Sequence, residues 1–204
     1  MDQQLDFKDF ADLIANNHVE TEILSGIGRA AGLELSVRKQ VGTVNGSFNY
    51  TLSRTERKIA DINGGDWYPS TFDKPHDLSL VTTVQLNKRN QISFNFSYST
   101  GRPTTIPLDR HLLTNRVVVL NYSERNAFRV PDYHRLDIAY TIGQGYRKSK
   151  KFKTSWTISV YNVYSRRNAF SVFIEQDRLT TPEIRRLAVL GSAFPSLTFN
   201  FELL

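Results

Sequence analysis

Ile92-Ser93-Phe94-Asn95-Phe96-Ser97-Tyr98-Ser99 is the stretch on which the fold turns. Each even position carries a large apolar or aromatic side chain and each odd position a small polar one. Successive side chains of an extended chain point to opposite faces, so the octet predicts a strand with one greasy side and one wet side. The same alternation returns on both flanks. Leu33, Leu35 and Val37 alternate with Glu34, Ser36 and Arg38, and Phe48, Tyr50 and Leu52 with Asn49, Thr51 and Ser53. Leu78, Leu80, Val84 and Leu86 share a face. Leu136, Ile138, Tyr140 and Ile142 oppose Arg135, Asp137 and Thr141, and Trp156, Ile158 and Val160 oppose Thr157 and Ser159. Leu197, Phe199, Phe201 and Leu203 close the series against Ser196, Thr198, Asn200 and Glu202. With less regular strands around 170–175 and 185–190, the pattern predicts an all-β, antiparallel up-and-down meander of about nine strands. The best helical stretch, 6–15, lies outside the repeat.

Composition decides less. The chain has 204 residues, 40% of them apolar and 23% charged, with a mean hydropathy of -0.38. No run approaches the roughly 18 consecutive apolar residues of a membrane helix. Barrel strands, with one apolar residue in two, average to an ordinary hydropathy, so this value does not count against a membrane barrel. The start, Met1-Asp2-Gln3-Gln4-Leu5-Asp6, has neither the basic beginning nor the apolar centre of a signal peptide, so either the natural start lies elsewhere or the chain is not exported. Without cysteine there is no disulfide framework and no thiolate metal site, and four scattered histidines define no ligand set. No cofactor or metal is expected. A net charge of +6 invites a nucleic-acid reading, but Lys and Arg gather at strand ends, as at 54–58, 88–89, 147–153 and 166–167, rather than in a stripe. Nucleic acid is not an expected partner.

Connection lengths add a second signal. Short links at 40–42 and 87–90 alternate with long ones at 57–75 and 101–131; 143–153 is intermediate, and 165–168 and 191–195 are short. In a meander, alternate connections lie at the same end, and membrane barrels put short turns inside and long loops outside. A soluble barrel or sandwich alternates as well, but with Lys and Glu on its wet face. Here that face is mostly Ser, Thr and Asn. Aromatic residues near strand ends, among them Tyr98, Tyr140, Trp156 and Tyr164, match interfacial girdles. An odd strand count points to part of a larger barrel, because single-chain bacterial barrels are even-numbered.

Several motifs taken in order, Gly28-Arg29-Ala30-Ala31-Gly32-Leu33, Tyr50-Thr51-Leu52-Ser53-Arg54, Asn63-Gly64-Gly65 with Trp67-Tyr68-Pro69, His76-Asp77-Leu78, Ser99-Thr100-Gly101-Arg102-Pro103, Tyr133-His134-Arg135-Leu136-Asp137, Tyr161-Asn162-Val163-Tyr164 and Pro195-Ser196-Leu197, resemble the late barrel of TonB-dependent outer-membrane receptors of the Bacteroidetes type. The resemblance covers nearly everything from residue 20 onward. It implies an integral outer-membrane protein of a Gram-negative cell, part of a barrel of about 22 strands with a plugged lumen. It further implies residues 1–28 as an extracellular-loop lead-in and 29–204 as barrel strands, with a plug and earlier strands as missing partners. A TonB complex acting through the plug and a small nutrient ligand, such as a metal chelate, vitamin or glycan, complete the picture.

Within such a barrel the long loops carry the ligand-binding candidates. Trp67, Tyr68 and Phe72 offer aromatic faces for sugars or planar chelates, against the plainer reading that they pack the loop onto the rim. Arg102, Arg125, Arg129 and Arg135 suit an anionic ligand, against a structural ladder of lumen charges with Glu34, Arg38 and Asp137. No catalytic residue is expected. His76 and Asp77 fall on opposite faces of a strand, as do His134 and Asp137, so neither pair makes an acid–base couple. An adhesin, porin or assembly factor gripping another protein is the alternative function, and an outer-membrane hydrolase a weaker one.

Overall fold

The computed structural model describes residues 3–8, 18–112, 118–143, 152–175 and 183–203. In chain order the strands are β1 Gln3–Phe7, β2 Ile23–Lys39, β3 Val44–Lys58, β4 Tyr68–Pro69, β5 His76–Gln85, β6 Asn90–Ser99, β7 Pro103–Thr104, β8 Pro107–Leu112, β9 Val118–Tyr122, β10 Phe128–Arg129, β11 Tyr133–Gly143, β12 Phe152–Tyr161, β13 Ala169–Glu175, β14 Glu183–Ala188 and β15 Phe194–Leu203. Among the described residues helix is confined to two short 3-10 turns, Val19–Glu22 and Asn63–Gly65. One antiparallel sheet dominates, in the order β1-β2-β3-β5-β6-β11-β12-β15, with β4 attached to β3. Long-range pairing therefore follows chain order, which is the predicted meander.

Its nine strands are not all the expected ones. Residues 170–175 and 185–190 read as wall strands, but β13 and β14 pair with each other in a separate hairpin, leaving β12 to pair directly with β15. The connection from 162 to 193 is thus a third long excursion in place of two short turns. In their place β1 and β4 join the sheet; β1 includes Asp6 and Phe7, where the sequence suggests a helix, and the remainder of that stretch from 9 onward lies outside the described residues. Two wall strands fewer leave the parity unchanged. The long connections 59–75, 100–132 and 162–193 stand at one end, and the turns at 40–43 and 86–89 at the other.

Those turns have local causes. Gly42 sits at φ +104, in the left-handed region that glycine adopts without steric cost. At the second turn, the Asn87 side-chain oxygen accepts from the backbone N–H groups of Arg89 (2.9 Å) and Asn90 (3.0 Å). Fixed turns fix register, and register sorts the faces across the whole sheet. One cross-strand row reads Leu35, Tyr50, Leu78, Tyr98, His134; the next Val37, Phe48, Leu80, Phe96, Leu136; a third Val44, Val84, Ile92, Tyr140, Ile158, Leu197. The opposite face carries Ser36, Asn49, Ser79, Ser97, Arg135 and, lower, Gln85, Gln91, Thr141, Thr157, Thr198.

The apolar face is uncovered. Leu33 and Phe199, on outer strands, are 69% and 51% exposed, the inner-strand side chains Leu80, Phe94, Phe96 and Leu136 are half-buried, and none of the fully buried apolar residues lies in these rows. The buried cluster, Ile59, Ile62 and Tyr68 with Leu24 packed on it, sits instead among the long loops. It is placed there because β2 and β3, 17 and 15 residues long, outrun their neighbours. The β3–β5 pairing ends at Leu52 with His76, whereas β2 pairs with β3 up to Lys58. That ribbon stands roughly 20 Å above the rest of the wall and gives the loops a surface to pack on.

Candidate functional site

The long-loop end forms a crown knitted by polar side chains. Its first tie joins the loops at 59–75 and 100–132. Asn63 Nδ2 donates to Arg125 O (3.1 Å) while the Arg125 backbone N–H donates to Asn63 Oδ1 (2.7 Å), and Asn126 Nδ2 donates to Pro69 O (2.8 Å). Asn63 and Asn126 hold left-handed backbone, at φ 50 and 59, which asparagine tolerates better than most residues. The second tie is Asp73, buried, whose carboxylate accepts from the Thr55 backbone N–H (2.7 Å) and pairs with the Arg129 guanidinium. Arg129 also donates to Asp73 O and Gly101 O, both at 3.0 Å. A third tie is Asp6 of β1, which accepts from the Tyr68 hydroxyl (3.1 Å) and faces Arg125 (3.2 Å) and Arg57 (3.5 Å). Burial, and next the charge of Asp6, hold the Tyr68 phenol well above its usual range.

The loop at 162–193 is clamped to the wall in the same manner. Asn168 exchanges two bonds with the His134 backbone, 3.1 and 2.8 Å, and Arg166 Nη2 donates to Asp132 O (2.9 Å). Asp132 accepts from Gly101 N (2.9 Å) and the Tyr98 hydroxyl (2.7 Å), and these bonds, the backbone one foremost, lower its carboxyl pKa. Asn162, 1% exposed, caps the turn leaving β12 through Arg166 and Leu190.

The candidate ligand residues are thereby distributed. Tyr68 is 2% exposed, a pillar of the crown rather than an open platform. Arg125 and Arg129 are engaged with Asp6 and Asp73. Arg135 lies on the polar face of β11, bonded to Asp137 (3.0 Å) and to the Tyr133 and Tyr161 hydroxyls (3.0 and 2.7 Å), with its guanidinium 4.2 Å from the Tyr161 ring centre. Phe72 is 81% exposed, and Arg102 is exposed with no side-chain partner among the described residues. Trp67 is half-buried beneath Arg29, whose guanidinium stands 4.1 Å from its ring centre. Arg29 pairs directly with Glu56 of β3, on the face that carries Leu33 and Leu52 lower down, so Trp67 belongs to the apolar-face side of the crown.

Glu56 joins Arg29 (2.6 Å) and Arg54 (2.6 Å), and its own side chain is buried. Burial alone would raise this carboxyl, but the two guanidinium groups together outweigh it and the pKa is lowered. His76 and His134 face away from Asp77 and Asp137 and bond through Nδ1 to the hydroxyls of Tyr50 and Tyr164, each at 2.8 Å. Among the described residues no group of three or more acidic or histidine side chains is placed to hold a metal. The knitting residues Asn63, Asn126, Asn162, Asp6, Asp73 and Glu56 escape sequence reasoning, although Asn63 before Gly64-Gly65 is a readable sign of a left-handed turn.

Comparison with protein-family models, with curated proteins and with solved structures gives no match for this chain.

Proposed function

We propose that this chain forms part of the wall and outer crown of an outer-membrane β-barrel transporter of the TonB-dependent kind, which takes up a scarce nutrient. The observation that carries the proposal is the sorting of side chains across the entire sheet. Below the rim Leu, Ile, Val, Phe and Tyr hold most of one face, uncovered, while Ser, Thr, Asn and Gln, with Arg135 and Asp137, hold most of the other. An open apolar surface of this extent is unfavourable in water and favourable against lipid. Strands of ten or eleven residues match the length needed to cross a bilayer at a tilt. Tyr98 near the long-loop end and Trp156 near the other suit the two interfaces. The hydroxyl and amide face suits a water-filled or plugged lumen. Unpaired backbone at the edges of the wall is costly in hydrocarbon, so in this reading further strands flank β15 and the lower part of β2, and a plug fills the lumen.

The crown then faces outward as a stiff, ligand-facing surface with Arg102 and Phe72 open on it; energy reaches the ligand through TonB and the plug. An adhesin or assembly factor is the second reading, favoured by the β13–β14 hairpin, which leaves Phe170, Phe173 and Leu187 exposed.

These 204 residues contain no cysteine, so single-cysteine spin labels placed in them, with any cysteine elsewhere in the protein replaced, test the geometry in the full-length protein within its membrane. Labels at positions 80, 94 and 96 are expected to meet oxygen dissolved in lipid, and those at 79, 95 and 97 a water-borne nickel complex. Labels at 94 and 96 shielded from both reagents overturn the membrane-wall reading. Loss of uptake in cells lacking TonB supports transport; a phenotype of lost adhesion alone supports the second reading.

A further inference from the structure

Resting on the membrane-wall reading, we propose that the rim of the wall binds a phosphate-bearing lipid of the outer leaflet, in a cleft between the β2–β3 ribbon and the strip 69–75. The cleft measures about 490 Å³. Ala31, Leu33, Leu52 and Arg54, which line it, all alternate onto the apolar face, where Leu33 pairs with Leu52 and Ala31 with Arg54. The floor is low because Ala31, between Arg29 and Leu33 on this face, is small. The greasy lower part is therefore continuous with the uncovered face of the wall, which meets acyl chains. The upper part is cationic. Arg29 and Arg54 share the single carboxylate of Glu56, and their side chains remain 55% and 74% exposed, so the triad keeps one positive charge in excess. Asp73 is matched by Arg129, both lining the cleft, and Lys74 beside them is exposed with no ion-pair partner among the described residues.

The Arg54 and Arg29 guanidinium groups, on the same face above an acyl-sized hydrophobic cleft, complement an amphiphile whose phosphate sits at the interface. Trp67, against the Arg29 guanidinium on the same side, stands above the cleft, where aromatic side chains are favoured. A soluble anion would use the charges but leave the apolar floor empty, and a neutral lipid the reverse.

The test uses the full-length protein purified in detergent, with bis-phosphorylated lipid A as the probe and native mass spectrometry as the readout. Wild type is expected to retain the lipid, and the double substitution R54A/K74A to weaken retention roughly tenfold or more, as expected for lost charge-assisted contacts. Ala31→Trp, which fills the floor and leaves every charge in place, is expected to weaken it as well. Lipid A stripped of its phosphates should bind wild type and R54A/K74A alike, and inorganic phosphate should not displace the bound lipid. Equal retention by wild type and R54A/K74A, or by wild type and Ala31→Trp, overturns the proposal, as does displacement by free phosphate. Failure of the protein to resist alkaline extraction from outer membranes overturns the membrane wall, and this inference with it; integration with unchanged lipid retention overturns this inference alone.

Discussion

Replacing Asn162 by alanine isolates what one buried side chain does for the crown. Asn162 Nδ2 donates to Arg166 O (3.0 Å) and Leu190 O (3.3 Å), and Oδ1 accepts from Arg166 N (3.1 Å). Alanine removes all three bonds, each worth about 1 kcal/mol net. It also places a Cβ without compensation at φ 53, where L-residues other than asparagine and aspartate incur about 1 kcal/mol of crowding. The sum, about 4 kcal/mol, falls on local opening of the turn and not on the wall, whose pairing is unaltered. Since about 1.4 kcal/mol is tenfold, the turn should open between two and three orders of magnitude more often. Hydrogen exchange of the Val163 and Ser165 amides reports this, because they bond to Leu136 O (2.9 Å) and Asn162 O (2.8 Å), acceptors that survive the substitution. Asn162→Gly relieves the crowding and keeps the loss of bonds, so its exchange should lie about fivefold below that of alanine. Exchange in Asn162→Ala within threefold of wild type, or glycine and alanine indistinguishable, would refute the reasoning.

Further expectations concern the same crown. The Glu56 carboxyl is lowered in the folded protein, so its stabilisation is complete above its ordinary value of 4.5 and disappears as pH falls through the lower folded one. Acidification should therefore release Arg29 from the node and shift Trp67 emission in a background where Trp156 and any tryptophan outside these residues are replaced by Phe, and Glu56→Gln should show no such transition. Tyr68→Phe should cost about 1.5–3 kcal/mol through the lost bond to the Asp6 carboxylate, and Tyr68→Ala about 3–5 kcal/mol through the cavity, read as denaturant midpoints of crown unfolding. In Gly101→Ala the new Cβ would lie 1.5 Å from Val130 O, so a loss of about 3 kcal/mol and tryptic cleavage within 100–132 are expected; wild-type resistance would contradict the close approach.

The wall was legible because alternation is a local property. The octet at 92–99 states its own two faces, and Gly42 and Asn87 state the turns that set the register. Partnership is not local, and there the reading failed: residues 170–175 alternate well enough to be strand, but nothing in them says that they pair with 183–188 rather than with β12. β1 was missed because five residues carry little pattern and depend on the upper end of β2 for a partner. Among the site candidates, the sequence leaves Arg125 and Arg129 open between an anionic ligand and structural charge pairing, because their carboxylates, Asp6 and Asp73, lie 119 and 56 residues away. For Tyr68 it leaves open a ligand platform or packing onto the rim; the packed position is set by Ile59 and Ile62, which belong to a loop whose return path no periodicity describes.

The ties of the crown also bear on how the sheet is assembled. β2–β3 and β5–β6 are joined by short turns, whereas β3–β5, β6–β11 and β12–β15 pair across 59–75, 100–132 and 162–193. Closing a long segment is entropically unfavourable until something holds it in place. Asp73, Asn63 and Asn168 tie those segments to the strands and to each other, so ordering of the crown and closure of these three pairs favour one another. Loosening a single tie is therefore felt in strand pairs that the substituted residue does not touch.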